Sequence, residues 1–145
     1  MISLLDINIL VALAWPNHEH HESAARWFQE NEKAGWATCP VTQSGFIRVS
    51  SNQRIIPEAK SPREAAELLA RIVGLPNHVF FADDRGLVSS SFVDFGKLTG
   101  YRQVTDAHLL GIALRHGGRL ATLDRGLKGL IPKGYSLEEA ICLIG

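Results

Sequence analysis

Cysteine is scarce in this chain. The two present, Cys39 and Cys142, show no metal-ligand spacing and are too few for a disulfide framework, so they read as reduced core thiols. Neither sign of charge is in excess. Fifteen Lys and Arg face fifteen Asp and Glu, which excludes a global basic field and requires any nucleic-acid contact to be local. Long apolar runs are missing as well: residues 2–5 are apolar apart from Ser3, but Asp6 and Asn8 follow and no basic leader precedes them. That pattern fits neither a signal peptide nor a membrane span, and a cytoplasmic location is expected. No repeat or low-complexity tract is present, and no glycine-rich turn follows the first apolar run, which argues against a dinucleotide-binding enzyme.

What the chain does have is the balance of a folded domain, with 46% hydrophobic and 21% charged residues. Its 145 residues suit a single domain spanning 1–145. Residues 2–5 predict a buried parallel strand and 7–15 a short helix stopped before Pro16. Asn17 is placed to cap a second helix of about fifteen residues that buries Ala24, Ala25, Trp27 and Phe28 and ends near Gly35. A strand is expected at 36–39, then a helix at 41–49 opened by Pro40, then the only long loop, 50–62. Ser61-Pro62-Arg63-Glu64 is a capping box that starts a helix running to Gly74.

Further strands are expected at 78–82 and 119–123, with helices at 91–98 and at 106–116, the latter capped by Thr105 and closed by Gly117-Gly118. The tail, 138–144, reads equally as a short helix or an edge strand. Strands that alternate with helices imply a mostly parallel central sheet covered on both faces, a three-layer α/β/α architecture.

In open parallel sheets, ligands bind outside the carboxyl ends of the strands. Asp6 follows the first strand, Asp124 follows the fourth, and Asp106 opens the helix that leads into the fourth. Each alone reads equally well as a turn or helix-start acid. Together they would converge if the first and fourth strands are neighbours. Clustered carboxylates stay ionised only beside a cation, and an oxygen-only set suits Mg²⁺ or Mn²⁺. Phosphodiester hydrolysis by an activated water is the matching reaction class.

The segments LLDINILVALA (4 to 14), GFIRV (45 to 49) and TDAHLLGIALRHGGRLATLD (105 to 124) resemble PIN-domain toxins of the VapC group. That resemblance implies a PIN-like α/β/α fold, an acidic Mg²⁺ or Mn²⁺ site that cleaves RNA, a homodimer, and inhibition by a small VapB-type antitoxin through which alone DNA is bound. It implies structured or transfer RNA as substrate, with 3′-hydroxyl and 5′-phosphate products. It places Asp6, Asp106 and Asp124 as the metal-site acids and Asn8 as a site organiser. The family often carries Glu where this chain has Gln43, whose carbonyl oxygen or a water it holds would have to serve; an exposed helix amide is the equal alternative.

Arg48, in the GFIRV segment, is the favoured phosphate contact, ahead of Arg102, Arg115, Arg119 and Arg125, and an antitoxin contact is its other reading. His18, His20 and His21 suit a solvated helix start better than zinc, and Asp83-Asp84 a turn. Trp15, Trp27 and Trp36 suit packing better than base stacking. Two rival functions remain: a catalytically silent PIN scaffold binding RNA or protein, and a phosphatase with Asp6 as nucleophile. The second expects an acid where Asn8 stands.

Overall fold

Successive residues along each strand point to opposite faces of a sheet, and here the two sets enter two separate cores. Leu4, Ala37 and Leu120 belong to one buried cluster, Leu5, Trp36 and Ala121 to the other. The computed structural model describes every residue except Ser90 and, at Ser89, the backbone only. Five short strands form the middle layer: β1 (Ser3–Leu5), β2 (Trp36–Thr38), β3 (His78–Phe80), β4 (Arg119–Thr122) and β5 (Ile141–Leu143). Their order is β3-β2-β1-β4-β5, and all four pairings are parallel. Ser3 stands opposite both Trp36 and Arg119, so β1 is central and β4 lies directly beside it.

On one face lie α1 (Ile7–Ala14), α2 (His21–Asn31), α3 (Pro40–Ser50) and α4 (Pro62–Val73), which supply Ile9, Leu10, Phe46 and Leu69 to the second core. On the other lies α5 (Val104–Arg115), with Leu109, Leu110 and Ile112 in the first core, next to the short α6 (Leu137–Ala140). This is the expected three-layer arrangement. The tail supplies both of its alternatives in succession, α6 and then β5.

Gly45 explains part of the GFIRV segment. A Cβ there would stand 2.2 Å from Ile7 Cδ1 and 2.6 Å from its Cγ1, so glycine lets α3 close onto α1 without displacing Ile7. The capping box of Ser61 and Glu64 forms as expected, with Pro62 in the first turn of α4. After α5, Gly117 adopts φ +72° to reverse the chain into β4.

Four expectations fail. No α-helix forms at 91–98. Asp94 instead accepts a hydrogen bond from Gly96 N at 3.0 Å, a local turn that competes with helix propagation, and only a single turn, Phe95–Lys97, results. The described residues between β3 and α5 therefore join the loop expected at 50–62 as a second long stretch without an α-helix or strand. Thr105 lies inside α5, because the turn Tyr101–Gln103 runs straight into the helix. Asn17 does not cap α2. It donates to Glu58 at 3.2 Å, and the helix begins later, at His21. Among the described residues, no helix is long and apolar enough to cross a membrane.

Candidate active site

Asp6 reaches the carboxyl edge as an extension of β1. Its backbone N–H still donates to Ala121 O of β4 at 2.9 Å, and the chain then turns into α1, whose N-cap it forms. The side chain is buried and held at both oxygens: Oδ1 accepts from Ile7 N at 2.7 Å and Oδ2 from the Thr122 hydroxyl at 2.6 Å. Thr122 ends β4 and is fully buried. Its oxygen also accepts from Asp124 N at 3.1 Å and from Asn8 Nδ2 at 3.4 Å, while Asn8 Oδ1 accepts from Leu123 N at 3.3 Å. One hydroxyl thus joins the first acid, its neighbour on α1 and the loop bearing the last acid.

Asp124 is exposed, two residues past the end of β4, where Oδ1 accepts from Gly126 N at 2.8 Å. Asp106 comes from the other layer, in the first turn of α5. Its carboxyl is pushed up to about 6, first by burial and then by the charges of Asp6 and Asp124. Burial likewise lifts Asp6, with Asp124 adding to it, while the Thr122 and Ile7 hydrogen bonds oppose the shift. The three acids therefore share one electrostatic site. Among the described residues no ion pair joins any of them to a cationic side chain.

Nor do any three His, Cys, Asp or Glu side chains among the described residues close to the spacing of a metal cage. The set still fits a hard divalent ion, because such ions keep several waters and take only one or two direct carboxylates. Unbalanced oxygen charge at a sheet edge is the donor chemistry they need.

Gln43, near the start of α3, donates from Nε2 to the Thr38 hydroxyl at 3.0 Å. It lies at the same sheet edge, on the β2 side. Arg48 is exposed in the last turn of α3, about 140° around the helix from Gln43 and about 7.5 Å along it. No described bond joins Arg48 to the acids. Arg115 is committed to Asp84 at 2.7 Å and Arg119 to the Ser3 hydroxyl at 3.0 Å, while Arg102 lies over the Tyr101 ring. Asp83 and Asp84 are more than a turn, since Asp83 pairs with His108 at 2.9 Å. Trp15 and Trp36 are buried with their indole nitrogens bonded to Ser50 and Pro76.

Sequence reasoning missed Thr122 and Thr38. The one available signal was a hydroxyl at the carboxyl end of each strand, after apolar neighbours, in ATLD and WATC.

Residues 3–130 match the PIN domain family. Ribonuclease VapC38 of Mycobacterium tuberculosis (strain ATCC 25618 / H37Rv) is 48% identical over 126 residues, 87% of this chain and 87% of the relative. The chain belongs to the VapC-type PIN-domain family. Ribonuclease VapC39 of the same strain is 44% identical over 127 residues, 88% of this PIN domain and 91% of the relative. A crystal structure of VapBC2 from Rickettsia felis bound to a DNA fragment from their promoter contains a chain of the same fold. Its TM-score is 0.59 at 16% identity, over 92% of this PIN domain and 98% of that chain.

Proposed function

We propose that this PIN domain is an endoribonuclease, the toxin of a type II toxin–antitoxin pair, with Mg²⁺ or Mn²⁺ held by Asp6, Asp106 and Asp124. One observation carries the reading: burial and then the charges of Asp6 and Asp124 push the Asp106 carboxyl up to about 6, and among the described residues no ion pair joins any of the three acids to a cationic side chain. The names of the relatives support RNA as the substrate class.

Asp6, Asp106 and Asp124 would hold a divalent ion, which would supply compensating charge and Lewis-acid chemistry for hydrolysis of a phosphodiester. The side chains do the rest. Thr122 and Ile7 N hold Asp6 in a single orientation, and Asn8 braces α1 against the loop that carries Asp124. With its carboxyl pushed up to about 6, Asp106 would have to give up its proton to hold a cation, which would link loading to pH.

The partner reading is a VapB-type antitoxin, with the chain itself a homodimer in the cytoplasm and in contact with DNA only through that partner. An apolar hollow of about 330 Å³ between α1, α2 and α4, lined by Leu13, Phe28, Leu68 and Ile72, supports a surface made for a protein segment. The replacement of an acid by Gln43 is what favours the second reading, a catalytically silent scaffold.

The test is cleavage of a structured RNA by the purified chain with Mg²⁺ or Mn²⁺ and with chelator. Metal-dependent products ending in 3′-hydroxyl and 5′-phosphate are expected. Folded protein that binds RNA and never cuts it would turn the reading into the scaffold one.

A further inference from the structure

Gln43 does not stand alone at the β2 side of the sheet edge. Its amide nitrogen donates to Thr38 Oγ1 at 3.0 Å, and that oxygen lies 2.7 Å from His78 Nε2 on the neighbouring strand β3. Thr38 is fully buried, and these are the two described bonds of its hydroxyl within reach of Gln43 and His78. A hydroxyl has one proton and two acceptor sites. With an acceptor site turned to Gln43, the proton goes to His78 Nε2, and the imidazole carries its own hydrogen on Nδ1. The opposite direction, from imidazole N–H to hydroxyl to Gln43 Oε1, satisfies the same groups only if the amide turns over.

The orientation of the Gln43 amide and the tautomer of His78 are therefore one variable. The imidazole is held in place by the Trp36 ring, 4.8 Å away between centroids, whose own Nε1 is anchored on Pro76 O. Burial lowers the proton affinity of His78 and favours the neutral ring that a proton directed from Thr38 to Nε2 needs.

We propose that Thr38 and His78 are positioning residues that turn the carbonyl oxygen of Gln43, and not its NH₂ group, toward the acidic pocket, making Gln43 a neutral oxygen donor to a hydrated divalent ion. This rests on the proposed cation site of Asp6, Asp106 and Asp124 and adds to it Gln43, on the helix that follows β2, the strand beside β1. The NH₂ end would direct partial positive charge at the cation, whereas the oxygen end matches the ligand type the acids provide. The relay thus recovers, without charge, part of what a carboxylate at this position would supply.

The experiment uses the intact, metal-free chain and Mn²⁺ as the probe. Long-range ¹H–¹⁵N spectra of the imidazoles are expected to show neutral His78 as the Nδ1–H tautomer. In Gln43→Glu the carboxylate takes the Thr38 proton, so His78 is expected to become an N–H donor at Nε2. Mn²⁺ affinity is expected to fall about threefold to tenfold in Thr38→Val and to return in Thr38→Ser. In a Gln43→Ala background Thr38→Val should change nothing further. An Nε2–H tautomer in the wild type overturns the proposal, as does a Thr38→Val effect that persists without Gln43. Equal Mn²⁺ affinity in wild type and Gln43→Ala also overturns it, by removing Gln43 from the pocket. Failure of the nuclease reading itself has a different signature, an absence of metal-dependent cleavage while the tautomer and Mn²⁺ results hold.

Discussion

Two groups of aspartates stand at this end of the molecule, and they differ in what faces them. Asp83 and Asp84, just past β3, are each matched by a nitrogen on α5: His108 Nε2 at 2.9 Å and the Arg115 guanidinium at 2.7 Å. Arg115 holds the exposed Asp84 carboxyl below the usual carboxylate range. Asp6, Asp106 and Asp124, around β1 and β4, have no ion pair to a cationic side chain among the described residues, and the Asp106 carboxyl is pushed up to about 6. Paired acids fasten a long irregular segment to a helix. Unpaired acids store repulsion, which a fold retains when a ligand from outside relieves it.

The contrast breaks most visibly at Asp106. Asp106→Asn keeps the side-chain volume and removes the charge, and is expected to lower metal-dependent RNA cleavage by about 10²–10³-fold. A folded variant that cuts at the wild-type rate would take Asp106 out of the site.

Next comes Thr122→Val, which deletes the hydroxyl shared by Asp6, Asn8 and Asp124 N. A loss of about 10–100-fold in metal affinity or activity is expected, as for other residues that orient ligands, with about 1–3 kcal/mol of stability. Mn²⁺ titration beside denaturant unfolding separates the two effects.

The stored repulsion is itself measurable. Because the Asp106 carboxyl rises from 3.8 to about 6 on folding, the native state binds more protons between those values. Its contribution is complete below pH 3.8 and is lost as pH rises through about 6. After discounting for partial solvent screening, the metal-free protein should lose about 1–2 kcal/mol over this window. Thermal unfolding of the wild type and Asp106→Asn across the window checks it. The variant should lack this component and be the more stable of the two near neutrality. Saturating Mn²⁺ should reverse the order, since the cation binds the ionised wild-type site.

The smallest effect is expected where the acids are paired. Asp84 has 68% of its side chain exposed, so Asp84→Asn should leave the unfolding midpoint nearly where it was, and cleavage and Mn²⁺ binding unchanged. A strong effect on cleavage would place Asp84 with the functional acids and end the distinction.

Much of this was written locally. Apolar runs, the capping box at Ser61 and the proline at the head of α3 mark elements whose physics spans only a few residues, and the structure has them within a residue or two. Asp6, Asp106 and Asp124 were legible as candidates because a parallel sheet gathers strand ends at one edge. The helix expected at 91–98 failed where a side chain bonded its own backbone and redirected the chain, a competition that composition does not reveal.

The alternation of side chains and the acids at strand ends belong to the sequence itself, since each follows from the geometry of a few consecutive residues. Which acids meet depended on strand order. Only the placement of β1 between β2 and β4 brings Thr122 to Asp6, 116 residues away, and only the pairing of β2 with β3 sets His78 on Thr38, 40 residues away. Hydrogen bonds of that span have no local signature, because each partner looks by itself like an ordinary strand residue. Whether an acid is paired is likewise a property of what the neighbouring layer carries, and the fold decided it by setting Arg115 and His108 against one group of aspartates, while among the described residues no ion pair reaches the other.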